Sequence, residues 1–213
     1  MNVTVKICGL TNADDARGAV DVGADFLGFL FSPASPRCVG SAAAAWISLI
    51  DGARKVGVFR DQDPRLIRRV REDAGLDLVQ LHGHETPELC AELGGREKVI
   101  KAIPVGKGTD WGLVAAYGQV ARVLFDTGSS SGGGTGRPFD WRLLAGVPPG
   151  LAFWLAGGLT PENVARALAE VRPAGVDVAT GVEAAVGRKD LGKMRAFIAA
   201  VRGSTGGHEG VQA

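Results

Sequence analysis

Three residues have types that can move protons or grip an anion: Cys8, Asp126 and Arg37. Asp126 closes the apolar run Val123-Leu124-Phe125. It is followed by Thr127 and a glycine-rich stretch, Gly132-Gly133-Gly134-Thr135-Gly136, that leads to Phe139-Asp140-Trp141. A buried strand that ends on a lone carboxylate and releases into such a loop puts an acid at the mouth of a sheet, under a segment able to fold over a ligand. Cys8 ends a second strand-like run, Val3-Thr4-Val5-Lys6-Ile7. A thiol facing a carboxyl across one mouth points to a base and an acid shuffling protons on a bound small molecule. The acid must keep its proton near neutral pH, so the surroundings of Asp126 are expected to raise its pKa. The thiolate needs positive charge or amide dipoles close by, and Lys6 and Arg37 are cations nearby in sequence.

The remaining candidates address the two ends of such a ligand. Arg37 could hold a carboxylate through a bidentate fork. Ala156-Gly157-Gly158-Leu159, ahead of a helix expected to open at Thr160, and Thr180-Gly181-Val182-Glu183 suit a phosphate, because backbone amides approach its oxygens only where no side chain intervenes. His82 reads as a hydrogen-bonding group rather than a proton carrier, and Asp177 as a supporting residue. Taken singly, each has a blander reading: Cys8 as a small buried hydrophobe, Asp126 as a cap, Arg37 as a solvated surface charge. Cys38 and Cys90 read as structural, and an odd cysteine count argues against a disulfide framework. The histidines His82, His84 and His208 lack a third ligand at useful spacing, so no metal site is expected.

Positioning these groups requires a repeating scaffold, and the chain repeats one unit: a short β-branched or aliphatic run, a turn, then an amphipathic helix. Strands are expected at 3–8, 26–29, 55–59, 76–81, 98–103, 122–126, 152–156 and 176–179. Helices are expected to open near Asn12, Ser41, Asp63, Thr86, Thr109, Phe139, Thr160 and Lys189. Asp63-Pro64, Thr86-Pro87 and Thr160-Pro161 each pair a capping side chain with a proline at the first helical position. About eight such units in 213 residues predict a single-domain α/β fold, a (β/α)8 barrel over residues 1–202, with a disordered tail at 203–213. An open doubly wound sheet is the rival, but no Gly-x-Gly-x-x-Gly turn follows the first strand. The 128–136 stretch has an alternative reading as an interdomain linker. In a barrel the strand ends share one mouth, which gathers Cys8, Arg37, His82, Lys101, Asp126, Gly157, Gly158 and Asp177 to Gly181.

Composition narrows the class. The 24 basic and 23 acidic residues are interspersed and leave a net charge of +1, which gives no nucleic-acid footprint and no polybasic membrane patch. No apolar run approaches the roughly 20 residues of a membrane span. Met1 leads into a strand with no secretory pattern, so a cytoplasmic address is expected.

Several motifs match one family in order and at its spacing from about residue 3 to 200. They include Lys6-Ile7-Cys8-Gly9-Leu10-Thr11, Ser35-Pro36-Arg37, Val56-Gly57-Val58-Phe59, Gln80-Leu81-His82-Gly83, Leu155-Ala156-Gly157-Gly158-Leu159 and Gly181-Val182-Glu183. Together they resemble phosphoribosylanthranilate isomerase. The resemblance implies an Amadori rearrangement of N-(5-phosphoribosyl)anthranilate to 1-(2-carboxyphenylamino)-1-deoxyribulose 5-phosphate, in tryptophan biosynthesis. It casts Asp126 as the general acid that opens the ribose ring and Cys8 as the general base at C2. Arg37 is placed on the anthranilate carboxylate, and Gly157, Gly158, Thr180, Gly181 and Val182 on the phosphate, with His82 and Asp177 beside the substrate. No cofactor is implied, since every step is a proton transfer, and the partner is a phosphorylated small molecule bound by a monomer or homodimer. The chain departs from the pattern at Ala179-Thr180, where the family usually shows two serines, and at Val186, where it shows a proline. One lost hydroxyl removes about 1 kcal/mol. Another sugar-phosphate barrel enzyme, such as an epimerase or a thiamine-phosphate-synthase-like transferase, would not need Cys8, Arg37 and Asp126 together. A non-catalytic phosphoribosyl-binding protein would need only the phosphate loops.

Overall fold

Alternation along short strands decides which side chains line the centre of this molecule. The structure, a computed structural model, describes residues 3–127 and 140–205. Eight parallel strands hydrogen-bond in chain order and close through the first and last. They are β1 (Thr4–Cys8), β2 (Phe26–Leu30), β3 (Arg54–Phe59), β4 (Leu78–Leu81), β5 (Val99–Val105), β6 (Arg122–Thr127), β7 (Phe153–Leu155) and β8 (Gly175–Val178). The helices α1 (Ala13–Asp21), α2 (Ala44–Ile47), α3 (Pro64–Asp73), α4 (Pro87–Glu92), α5 (Gly95–Lys98), α6 (Trp111–Val120), α7 (Val164–Val171) and α8 (Leu191–Thr205) connect them. This is the (β/α)8 barrel expected from the rhythm of the sequence.

Two apolar cores result. Phe26, Val56, Leu78, Ile100, Ala102, Leu124, Trp154 and Ala156 fill the barrel interior, while Val5, Ile7, Leu27, Phe29 and their kind pack outward against the helices. Register then places the functional groups. Cys8 pairs with Gly28 and Gly28 with Val56, so Cys8 faces inward; Lys6 pairs with Phe26 and with Asp177, and does the same. Asp126 stands two residues beyond the inward Leu124, and Gln80 pairs with the inward Ile100. A side chain at Gly28 would lie 2.7 Å from Cys8 Sγ and 3.1 Å from Lys6 Cε, so the missing Cβ makes room for both.

Helix starts follow local capping where a side chain is free to cap. Asn12, Asp63 and Thr86 accept from the amides of Asp15, Arg65 and Leu89. Elsewhere the expected starts move. Thr160 does not open α7: Asn163 accepts from the Thr160 amide at 2.9 Å and donates to the Gly158 carbonyl at 2.8 Å, locking a turn that delays the helix to Val164. Lys189 is not a helix start either. It lies in a small antiparallel pair, β9 (Glu183–Ala185) and β10 (Arg188–Lys189), and Asp190 caps α8 by accepting from the Lys193 amide. After β6 a 3-10 turn, Trp141–Gly146, stands where a helix opening at Phe139 was expected. Phe139, the glycine-rich 128–136 stretch, His208 and the rest of 206–213 lie outside the described residues. The last helix continues through Thr205, past the expected boundary at residue 202.

The loops after β3 and β4 are tied by one buried carboxylate. Glu85 accepts from the amides of Asp61 and Gly83, both at 2.9 Å, and from Lys101 Nζ at 2.9 Å. Lys101, which sequence placed among the mouth residues, points out of the barrel into this seam. Its ammonium also meets the Gly83 carbonyl at 2.6 Å and lies over the Tyr117 ring. Glu85 and Lys101 are buried, and Cys90 beside them is pushed up to about 11 by burial. Breaking such a pair leaves an uncompensated charge, so Glu85→Ala is expected to cost about 3–5 kcal/mol in urea unfolding. A loss below about 1 kcal/mol would show that the seam holds without it.

Candidate active site

Inward-facing side chains at the carboxyl ends of β1, β4, β6 and β8 form the floor of the mouth. Lys6 is fully buried and its Nζ donates to Asp177 Oδ2 at 2.9 Å, while Asp177 Oδ1 is buried and accepts nothing among the described residues. Cys8 lies on the same strand as Lys6, one inward position nearer the mouth. It is 7% exposed and stands apart from the interior apolar cluster. Asp126, on β6, is partly exposed, with His82 Nε2 3.3 Å from its Oδ2. The β4 loop that carries His82 is held by the Glu85 seam and by the His82 amide donating to Phe59 at 2.8 Å.

Arg37 reaches Gly9, the residue after Cys8, from the loop after β2. Its side chain crosses Gly9, where a Cβ would meet Arg37 Cδ at 2.7 Å. Its Nε and Nη2 donate to Glu183 Oε1 and Oε2 at 2.6 and 2.7 Å, with both residues buried. Lys189 Nζ adds bonds to Glu183 Oε1 at 3.2 Å and to the Ala179 carbonyl at 3.0 Å.

Two concavities open above these groups. One, of about 480 Å³, runs from Asp126 and His82 along an apolar wall of Leu30, Val58, Ile103, Pro104 and Leu113, and reaches the β2 loop at Ser32, Ala34 and Ser35. That is the size of a small-molecule site. The second, about 350 Å³, is lined by Gly158, Leu159, Thr160, Glu162, Thr180, Gly181 and Lys193. Gly157 and Gly158 adopt positive φ of 87° and 67°, and a Cβ at Gly181 would lie 2.0 Å from the Leu159 carbonyl oxygen. Glycine is therefore needed at 181 for loop-on-loop packing, in addition to the ligand approach argued from sequence.

A profile of the N-(5'phosphoribosyl)anthranilate (PRA) isomerase family matches residues 5–200. The N-(5'-phosphoribosyl)anthranilate isomerase of Pelobacter propionicus is 46% identical over 199 residues, covering 92% of this chain and 94% of its own length. That of Desulforudis audaxviator is 48% identical over 201 residues, covering 93% and 97%. The chain belongs to the PRA isomerase family. Its fold superposes on the crystal structure of phosphoribosyl anthranilate isomerase from Thermotoga maritima with a TM-score of 0.85 at 40% identity, covering 94% of this chain and 99% of that one. A further relative, at TM-score 0.81 and 39% identity, was solved with reduced 1-(o-carboxyphenylamino)-1-deoxyribulose 5-phosphate.

Against the family's pattern, the expected residues separate into three groups. Cys8, Asp126, His82 and Asp177 come together on the floor. Gly158, Thr180 and Gly181 line the second concavity, with Gly157 beside them and Val182 buried behind. Arg37 sits next to the floor, but its bidentate edge is taken by Glu183 of the same chain, so the free fork expected from sequence is not what the structure presents. Glu183 and Lys189 escaped the sequence reading as site residues, and Gln80, which falls among the strand-end residues of the mouth, was given no role. Gln80 Oε1 is an inward, buried acceptor with no partner among the described residues. Its place in Gln80-Leu81-His82-Gly83, at an inward strand position, was the available signal. Among the described residues no group of three or more His, Cys, Asp or Glu side chains is placed to hold a metal ion.

The charges on the floor are coupled. Burial works against the Lys6 ammonium, but Asp177 and Cys8 outweigh it and the net shift is upward. Burial also pushes Asp177 upward against the pull of Lys6, with the nearby Asp126 carboxylate adding to the rise. Cys8 moves upward because burial and the Asp177 charge outweigh Lys6 and Lys189. In the ligand-free protein the thiol therefore keeps its proton beyond the ordinary value of 9.0. A pH series of iodoacetamide alkylation, read by mass spectrometry at Cys8, is expected to inflect above that value. An inflection well below it would show a preformed thiolate.

Proposed function

We propose that Asp126 and Cys8 are the general acid and general base of this isomerase. The observation that carries the reading is their common inward placement at the ends of β6 and β1, with Asp177 between them on β8 feeling the charge of Asp126 and Lys6 and acting on Cys8. Protonated Asp126 donates to the ribose ring oxygen, the C1–O bond breaks, and the anilino nitrogen lone pair forms the C1=N Schiff base. The Cys8 thiolate then removes the proton on C2, and the C2–H electrons make the C1–C2 double bond of the enolamine. Protonation at C1, with loss of the proton on the C2 hydroxyl, leaves the ketone. Each step moves only protons and bonding electrons.

The surroundings support these roles. Lys6 and Lys189 act in favour of the thiolate, against burial and the Asp177 charge, and His82 orients the Asp126 carboxyl. Asp177 Oδ1 is free to accept from a ribose hydroxyl. The apolar wall of the larger cavity takes the anthranilate ring. The second concavity takes the phosphate, with Lys193 beside it. In this reading Arg37 meets the anthranilate carboxylate through Nη1, which takes part in neither bond to Glu183. Among the described residues no helix is long and apolar enough to cross a membrane. We assign this biosynthetic enzyme of the PRA isomerase family to the cytoplasm. All the site residues come from one chain, so the chemistry suits a monomer or a homodimer; a Thermotoga maritima relative is described as dimeric.

Cys8→Ser and Asp126→Asn are expected to bind the reduced product analogue as wild type does and to lose about 10²–10⁴ in kcat, measured by the fluorescence decay of phosphoribosylanthranilate. Wild-type turnover by either variant removes that residue from its role.

A further inference from the structure

An internal carboxylate occupies the edge of Arg37 that a substrate carboxylate would be expected to use. Glu183 stands 146 residues from Arg37 in sequence and joins the loop after β2 to the segment after β8. Stitching the β9–β10 hairpin requires only its contacts with Lys189 and the Gly187 amide, at 3.2 and 3.3 Å. The bidentate bond to Arg37 adds nothing to that hairpin. It fixes the guanidinium plane, because a fork bound through Nε and Nη2 cannot rotate about its long stem. The place where it is fixed is beside Cys8. Where Gly9 lacks a side chain, Arg37 Cδ passes at 2.7 Å from the absent Cβ and Lys189 Nζ at 3.6 Å.

Charge gives the same direction. Arg37 and Lys189 carry two positive charges and Glu183 one negative, which leaves one positive charge in surplus next to a Lys6–Asp177 pair that is neutral as a unit. An incoming carboxylate fills that surplus. Burial works to raise the Glu183 carboxyl, but Arg37 and Lys189 overturn it and the net shift is downward, so Glu183 stays ionised through the neutral range.

We propose that Glu183 is a positioning residue: its carboxylate holds Arg37 and Lys189 together at Gly9, next to Cys8, so that Arg37 presents Nη1 to the substrate carboxylate and a single positive charge remains to receive it. The inference rests on the assignment of Arg37 to that carboxylate. Glu183 itself touches neither the substrate nor the reacting atoms.

The test compares two ligands by calorimetry: reduced 1-(o-carboxyphenylamino)-1-deoxyribulose 5-phosphate, which has the carboxylate, and ribulose 5-phosphate, which lacks it. Glu183→Gln is expected to weaken the first by about tenfold or more and the second by less than about twofold. Glu183→Asp keeps the charge but is too short to reach both cations, and should give a smaller loss with the same selectivity. The alkylation inflection of Cys8 should also move to lower pH in Glu183→Gln. The groups facing the thiol are Lys6, Asp177, Arg37 and Lys189, with Asp126 and His82 acting through Asp177, and the variant leaves one more unopposed positive charge among them. Equal losses for both ligands, or loss of ribulose 5-phosphate binding in both variants, would make Glu183 a folding residue and overturn the proposal, as would unchanged affinity for both. Arg37→Met separates the two assignments: if it fails to discriminate between the ligands, the role given to Arg37 is wrong, whereas discrimination by Arg37→Met without it in Glu183→Gln rejects the present inference alone.

Discussion

A buried thiol and a buried carboxyl group, Cys8 and Asp177, crowd the centre of this barrel beneath the partly exposed Asp126, and the fully buried Lys6 is what makes that tolerable. Desolvation penalises each charged form, and without a cation the carboxyl of Asp177 would have to neutralise or the barrel would have to admit water. The Lys6–Asp177 bond satisfies half of that carboxylate, leaves the other oxygen open, and holds positive charge under Cys8. The room for this arrangement comes from an absent side chain at Gly28 on the neighbouring strand. One buried ion pair thus links the scaffold, the state of the thiol and the acceptor left for a ligand.

Around that centre, rigidity is supplied by long-range pairs that hold loops rather than strands. Glu85 and Lys101 fasten the β3 and β4 loops from outside the barrel, fixing the segment that carries His82. Glu183, Arg37 and Lys189 fasten the β2 and β8 sides from above. Both clusters use one carboxylate to bind donors from two loops. A loop alone is the least ordered part of such a fold, and a shared buried acceptor gives it one position at the cost of removing charges from water.

The barrel was legible because its signal is local: alternating apolar runs and capping side chains such as Asn12, Asp63 and Thr86 act within a few residues. The floor was legible for the same reason, since strand ends define the mouth. Two helix starts were misread where a side chain serves a turn or a hairpin instead of a helix. Asn163 spends its amide on Thr160 and Gly158, and Lys189 pairs with Glu183 across the β9–β10 hairpin. Arg37 shows the limit most clearly. Its type announces a carboxylate partner, but nothing near it in sequence reveals that the chain supplies one from 146 residues away. Glu183 and Glu85 were passed over because acidic residues in loops usually face water, and only closure of the barrel shows which of them are enclosed.

The central claim is a division of labour: Asp126 opens the ring and Cys8 then breaks the C2–H bond. The most direct measurement is the kinetic isotope effect with substrate deuterated at ribose C2, compared across wild type, Cys8→Ser and Asp126→Asn. A weakened base makes C2–H cleavage limiting and a weakened acid makes ring opening limiting. The account therefore predicts a larger isotope effect than wild type in Cys8→Ser and a suppressed one in Asp126→Asn. A large effect in Asp126→Asn with none in Cys8→Ser would reverse the two roles, and equal effects in both would deny that the steps are divided between them.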